Sequence, residues 1–180
     1  MKSKIISISA ISAGLTAITL TIGAYIEFTD LFALVVSSVF VILPLYFNSY
    51  KGSLLCFLAG GVIAFLFSGF NFLSLVFPSY FLFFGIYPIL AIFARQKNFN
   101  KTLRLIIGLI WCVAFFYGAY FYYFGVMGMN VGTYPAWASI VFENLLIFVG
   151  IFAVIFYFIY DRYIFVLKKF SDRYLYKILK

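Results

Sequence analysis

The chain of 180 residues contains no histidine and only five acidic residues. Histidine is the usual side chain for proton transfer near neutral pH and a common zinc ligand, so both kinds of chemistry lose their main residue. The two cysteines, Cys56 and Cys112, lie far apart in separate apolar runs, which argues against a disulfide or a metal site. We therefore expect no metal and no other cofactor.

Charge is also scarce, because only 10% of the residues are charged, whereas a soluble domain has about a quarter. Hydrophobic residues make up 66% of the chain, and the mean hydropathy is +1.13. Such a chain has too few polar side chains to cover a water-facing globule. The composition predicts an integral protein of the cell (cytoplasmic) membrane that crosses the bilayer several times.

Six continuous apolar runs are long enough to cross the hydrocarbon core, which takes about 20 residues of helix. A backbone in lipid must satisfy its own hydrogen bonds, so each run is predicted to be helical rather than a barrel strand with alternating polarity. The predicted fold is an all-α bundle of six transmembrane helices. These spans cover residues 5–26, 31–47, 52–69, 75–94, 105–124 and 136–160.

The basic residues occupy alternate gaps between these runs. They are Lys2, Lys4, Lys51, Arg95, Lys97, Lys101, Arg104, Arg162, Lys168, Lys169, Arg173, Lys177 and Lys180. Under the positive-inside rule, this alternation predicts that both termini are cytoplasmic. The outer loops are then residues 27–30, 70–74 and 125–135. The net charge of +8 is explained by topology and by affinity for anionic lipid, without nucleic acid.

The two ends of the chain each allow two interpretations. The first run resembles a cleaved signal sequence in its lysines, but its apolar length favours a retained span. Residues 1–160 are predicted to form the transmembrane domain, and residues 161–180 a basic amphipathic cytoplasmic tail. That tail either continues the sixth helix as an anchor or offers a docking surface to a partner.

Small residues and prolines predict where the helices pack closely and where they bend. Gly60, Ala64 and Ser68 recur at four-residue spacing, which favours close helix approach in a membrane. Pro88 is predicted to kink or break the fourth span, and Pro44 has the same potential near the end of the second.

Glu143 is the one acidic residue inside a predicted span, and an intramembrane acid is a candidate functional residue. It could bind a ligand amine, a cation or a proton, or it could be a protonated group that joins two helices. Trp137 could stack on a ligand, but it also fits an interfacial aromatic belt. The sequence contains no nucleotide-binding motif and no catalytic triad pattern, so an enzyme is not expected.

Four features of the sequence resemble the substrate-binding S components of energy-coupling factor (ECF) transporters and small S-component-like membrane proteins of Gram-positive bacteria. The six-span plan with both ends inside is one. Ala13-Gly14-Leu15-Thr16-Ala17 is similar to the Ala-x-x-x-Ala motif of the first S-component helix. Tyr50-Lys51-Gly52 resembles the family's second-to-third turn. Phe83-Phe84-Gly85-Ile86-Tyr87-Pro88-Ile89-Leu90 and Ile159-Tyr160-Asp161-Arg162 resemble stretches of the S-component-like proteins.

The resemblance implies a subunit that captures a small solute, such as a vitamin or another micronutrient, from the outer face. A transmembrane coupling subunit would contact Ala13 and Ala17, and separate ATPase subunits would drive uptake. The implied substrate-binding positions are Glu27, Asn71, Asn130, Trp137 and Glu143.

Two alternatives remain open from sequence. One is a scaffold or assembly factor without a transport role, whose ligands are membrane lipid and partner helices. The weaker one is a lipid-modifying enzyme, which would need a second polar group converging on Glu143.

Overall fold

The computed structural model describes residues 2–71, 74–126 and 144–179, and every regular element in these ranges is helical. The principal helices are α1 (Lys2–Tyr25), α2 (Asp30–Ile42), α3 (Tyr50–Phe67), α4 (Val76–Ser79), α5 (Ile86–Gln96), α6 (Lys101–Phe121) and α7 (Leu145–Leu179). Short 3-10 turns at Glu27–Thr29 and Leu43–Phe47 flank α2, and π turns lie at Tyr80–Phe84 and Tyr122–Val126.

Six helical segments of the described chain are long and apolar enough to cross a membrane. They are Ser3–Tyr25, Asp30–Phe47, Tyr50–Phe67, Val76–Gln96, Lys101–Phe121 and Leu145–Asp172. In the described residues, the prediction of an all-α fold with six helices long and apolar enough to span a membrane is therefore confirmed. The predicted start of the sixth span, at residue 136, lies outside the described residues.

The chain divides into two compact units, Met1–Phe99 with Arg162–Lys180, and Asn100–Asp161. Helix α7 contributes to both, because it runs from Leu145 to Leu179 without interruption. The segment after residue 160 thus continues the last helix, which is one of the two arrangements that the sequence left open.

In the first unit, a stripe of small residues lets α1 pack closely against its neighbours. Leu20 is buried beside this stripe, whose fully or nearly buried members are Ser12, Ala13, Thr16, Ala17 and Gly23. A Cβ added to Gly60 of α3 would lie 2.8 Å from Cβ of Thr16 and 3.2 Å from the carbonyl oxygen of Ala13. The predicted small face of α3 is confirmed as buried, since Gly60, Ala64 and Ser68 are all inside the packing.

The first four spans run alternately up and down. At one end, the Tyr25 hydroxyl donates a hydrogen bond to the Phe67 carbonyl at 3.2 Å, so α1 and α3 finish side by side. At the other end, the Ser53 hydroxyl donates to the Val41 carbonyl at 2.5 Å, and Gln96 Nε2 donates to Asn48 Oδ1 at 3.3 Å. The start of α3, the last turn of α2 and the end of α5 therefore meet at that end.

Proline determines where the fourth span departs from α-helical geometry. Pro88 has no N–H, and its ring would clash with the Phe84 carbonyl four residues earlier in a regular helix. The chain avoids that clash by forming a π turn just before it, in which Gly85 N donates to the Tyr80 carbonyl at 2.8 Å. The predicted break is thus present, one turn earlier than Pro88 itself. Pro44 likewise marks the change of α2 into a 3-10 turn.

The second unit is an antiparallel pair of helices, α6 and α7, with aromatic side chains between them. The Cys112 thiol contacts the Ala153 carbonyl at 3.6 Å, and the Tyr117 hydroxyl donates to the Leu146 carbonyl at 3.1 Å. A Cβ on Gly108 would lie 2.4 Å from the Tyr157 hydroxyl. Because Tyr157 lies opposite Gly108, the same register brings Arg104 level with Asp161, whose side chain is only 6% exposed.

Candidate functional site

One end of the first unit is basic. Lys4 lies at the start of α1, Lys51 at the start of α3, and Arg95 and Lys97 at the end of α5. The Arg95 guanidinium sits 4.4 Å from the centre of the Phe165 ring, which brings the last part of α7 to the same end. One end of the first unit therefore carries Lys4, Lys51, Arg95 and Lys97, which the sequence assigned to one side of the membrane.

The opposite end of the first unit carries two of the predicted substrate-binding residues. Asn71 is exposed, and its Oδ1 accepts a hydrogen bond from the Ser74 backbone N–H at 3.2 Å. Glu27 begins the 3-10 turn after α1, and its side chain lies outside the described part of the structure. The structure places both residues in connections at this end.

The other three predicted substrate-binding residues, Asn130, Trp137 and Glu143, lie outside the described residues. They belong to the segment that joins α6 to α7. That segment leaves α6 at the end opposite Lys101 and Arg104, within the second unit. Their role in binding stays a prediction.

The predicted partner-interface residues, Ala13 and Ala17, are 7% and 4% exposed. They lie in the buried stripe of α1, where the chain itself supplies packing partners. Ala10 and Gly14 lie on the adjoining face of α1 and are exposed, and nothing lies within 4 Å of a Cβ added to Gly14. A partner that packed against the small-residue surface of α1 would therefore contact Ala10 and Gly14.

A groove of about 360 Å³ lies between α1 and α3 and begins at the basic end. Its lining is formed by Ile5, Ile6, Ser9, Ala10, Ala13, Ser49, Lys51, Gly52, Leu55, Cys56 and Ala59. Small side chains form its floor, while the exposed Ile6 and Leu55 form its rims. The groove is thus an apolar slot whose one charged lining residue is Lys51.

Ser9, one of the residues that line this groove, carries a hydroxyl group that has no protein partner and is enclosed by the surrounding atoms. Ser9 Oγ is buried and makes no hydrogen bond, and it would be 2.6 Å from a Cβ added to Gly52. Thr19 and Thr21 of the same helix donate to the carbonyls of Leu15 and Ala17, one turn earlier, whereas Ser12, like Ser9, is buried without a hydrogen-bond partner. Ser9 consequently retains a free donor beside the residue that follows Lys51.

A polar cluster adjoins the groove at the basic end. Gln96 bonds to both the Tyr50 hydroxyl and the Asn48 amide oxygen, and the Tyr50 ring contacts the Phe93 ring edge-on at 5.4 Å between centres. Asn48 supports the turn before α3 with a left-handed backbone, at a φ of 53°. These contacts fix the α3 start against α5, and so fix the position of Lys51.

Within the described ranges, no group of three or more His, Cys, Asp or Glu residues could hold a metal ion. Cys56 and Cys112 are both free and buried. Cys56 lies in the first unit, where its sulfur is 3.8 Å from the Thr16 hydroxyl. Cys112 lies in the second unit and contacts the Ala153 carbonyl.

Sequence reasoning did not find the groove, the Ser9 hydroxyl or the cluster around Gln96. Each depends on residues separated by about 40 or more positions, and each residue alone is ordinary in an apolar helix. The sequence did contain one signal for the groove. Lys51 and Gly52 open α3, and small residues recur along α1, the helix that α3 packs against. No family model, curated protein or solved structure matches this chain.

Proposed function

We propose that this protein is a membrane-embedded subunit that binds a small solute for an ATP-driven uptake transporter, similar to an ECF S component. The observation that carries the proposal is the polarity of the first unit. Its basic side chains share one end, and the connections containing Glu27 and Asn71 lie at the other. With the basic end in the cytoplasm, those connections face the outside, where substrate arrives.

Solute capture is assigned to the outer connections, with Glu143 as the residue that fixes a polar or cationic group. An acid in this position is costly in a bilayer unless it meets protein, water or a ligand. Asn130 and Trp137 come from the same segment, and Glu27 and Asn71 come from the other outer connections. The ligand of such a site would be small and partly apolar, because few polar groups are available to hold it.

Energy for uptake would come from other subunits, since the sequence contains no nucleotide-binding motif. A transmembrane coupling subunit would approach the small-residue surface of α1. In the isolated chain, that surface presents Ala10 and Gly14, with Ala13 and Ala17 beneath them. Small side chains suit such a contact because they let two helix backbones come close.

The binding role is tested by native mass spectrometry of the full chain purified from its own membranes. We expect a retained small molecule, and we expect Glu143→Gln to weaken its retention by at least about tenfold through loss of a charge-assisted hydrogen bond. Asp172→Asn is the matched control, because Asp172 pairs with Lys168 at 2.5 Å in the last part of α7. Equal retention by Glu143→Gln and by the unaltered chain would contradict the assignment of Glu143.

The groove between α1 and α3 favours a second candidate, a membrane scaffold whose ligands are lipid and partner helices. The two roles differ in what the purified chain carries. A scaffold would retain lipid and partner proteins but no small solute, and Glu143→Gln would leave that set of ligands unchanged.

A further inference from the structure

We infer that the groove between α1 and α3 binds one anionic phospholipid of the leaflet at the basic end, with one acyl chain in the slot and the phosphate at Lys51. The inference stands independently of the proposed transport role. It depends on the dimensions of the groove, the charge at its mouth and the free hydroxyl of Ser9.

The dimensions of the groove suit a hydrocarbon chain. From Ile5 to Ala13 on α1, the slot extends roughly 12 Å at 1.5 Å per residue. One leaflet of the hydrocarbon core is about 15 Å deep, so the slot covers most of the depth that an acyl chain occupies. A helix is about 10 Å across, so a helical segment as long as the slot, roughly 12 Å, would fill roughly 900 Å³. The groove of about 360 Å³ can take an acyl chain along its length but cannot enclose a helix, which could only lie over its mouth.

The charge at the mouth of the groove selects an anionic headgroup. Lys51 lines the opening and is exposed, and Lys4 lies one residue before the lining residue Ile5. The described acidic residue of the first unit on this side is Asp172, which already pairs with Lys168. Glu27 and Asp30 belong to the connection at the opposite end. Lys51 therefore places a positive charge at the mouth, and a phosphate diester is the bilayer anion that reaches this level.

The Ser9 hydroxyl supplies the third element of recognition. It is buried, it has no protein acceptor, and it lies next to Gly52, just inside the mouth. The ester carbonyls of a glycerophospholipid lie between the phosphate and the acyl chains, which is the depth of Ser9 in this slot. A change of the Ser9 rotamer would turn this hydroxyl into the slot, where it could donate to an ester oxygen and gain the hydrogen-bond partner that the protein does not supply.

The test is native mass spectrometry of the detergent-solubilised full chain, titrated with phosphatidylglycerol or with phosphatidylcholine. We expect one tightly retained phosphatidylglycerol and about fivefold weaker retention of phosphatidylcholine. Lys51→Gln should remove that difference. Lys97→Gln is the matched control, since Lys97 is an exposed lysine of the same end that does not line the groove. Equal binding of the two lipids by the unaltered chain overturns the inference.

A second pair of variants tests the slot itself. Ala59→Phe places a ring in the groove from an exposed helix position and should lower phosphatidylglycerol retention about tenfold, equivalent to losing burial of about two methylene groups. Ala10→Phe should do the same from the other wall, and Gly14→Phe, outside the groove, should not. Unchanged lipid retention in both blocked variants overturns the inference. The inference is also overturned if the blocked variants lose a dimer and keep their lipid, because the groove would then bind a second copy of the chain.

Discussion

Gly60→Leu is expected to unfold the contact between α1 and α3, and with it the first unit. A Cβ at residue 60 would lie 2.8 Å from Cβ of Thr16, an atom attached directly to the α1 backbone. It would also lie 3.2 Å from the Ala13 carbonyl oxygen, which cannot move without moving the helix. A leucine can be accommodated only by separating the two helices along the buried stripe.

The expected cost is about 3 kcal/mol or more in the free energy of unfolding, at the upper end of what overpacking a core causes. Thermal unfolding of the purified chain, followed by the loss of its monodisperse peak in detergent, measures the effect. Gly14→Leu is the matched control on α1, because nothing lies within 4 Å of its added Cβ, and its effect should stay within about 0.5 kcal/mol. Similar melting temperatures for the two variants would contradict this packing.

The second large effect is expected in accessibility to a membrane-impermeant thiol reagent. In a background with Cys56→Ala and Cys112→Ala, Phe70→Cys and Asn130→Cys should react in intact cells. Asn98→Cys and Asp172→Cys should react only after the membrane is opened. Phe70 is 54% exposed in the turn after α3, and Asn98 is exposed in the turn after α5 at the basic end.

The physical basis is the asymmetry of cationic side chains, which remain on the cytoplasmic side during insertion. The difference should be nearly all or none, because a charged reagent does not cross the hydrocarbon core on the time scale of labelling. Labelling of Asn98→Cys from outside, with Phe70→Cys protected, would invert the topology. It would also transfer the proposed solute site to the cytoplasmic face.

The spans could be predicted from sequence because lipid imposes a simple rule on each segment separately. A run of about 20 apolar residues must be helical, and the structure has all six. The break in the fourth span could also be predicted from one segment alone, because Pro88 lacks the N–H that a regular helix needs at its position. Its position was one turn off, because the chain relieves the clash upstream with a π turn at Tyr80–Phe84.

The packing partners could be predicted only in part. The spacing of Gly60, Ala64 and Ser68 indicated a buried face, but it did not identify Thr16 as its neighbour. Ala13 and Ala17 were assigned to a partner protein on the resemblance, and the structure buries them within the chain's own packing. Whether a helix face is covered by its own chain or by another protein depends on the arrangement of all spans, which no local pattern contains.

The groove lay beyond sequence reasoning for a related reason. The groove is the space left between two packed helices, so no single segment of sequence contains it. Ser9 and Gly52 approach each other only after α1 and α3 pack in parallel. The predicted solute site remains a sequence proposal, since Asn130, Trp137 and Glu143 lie outside the described residues.

Helix α7 has a length that a bilayer cannot contain. Its 35 residues extend about 52 Å, whereas the hydrocarbon core is about 30 Å thick. Roughly 20 Å of continuous helix must therefore project beyond the core or be taken up by tilt. Because the helix is unbroken from Leu145 to Leu179, the lysines of its last turns are carried by the same helix that crosses the hydrocarbon core.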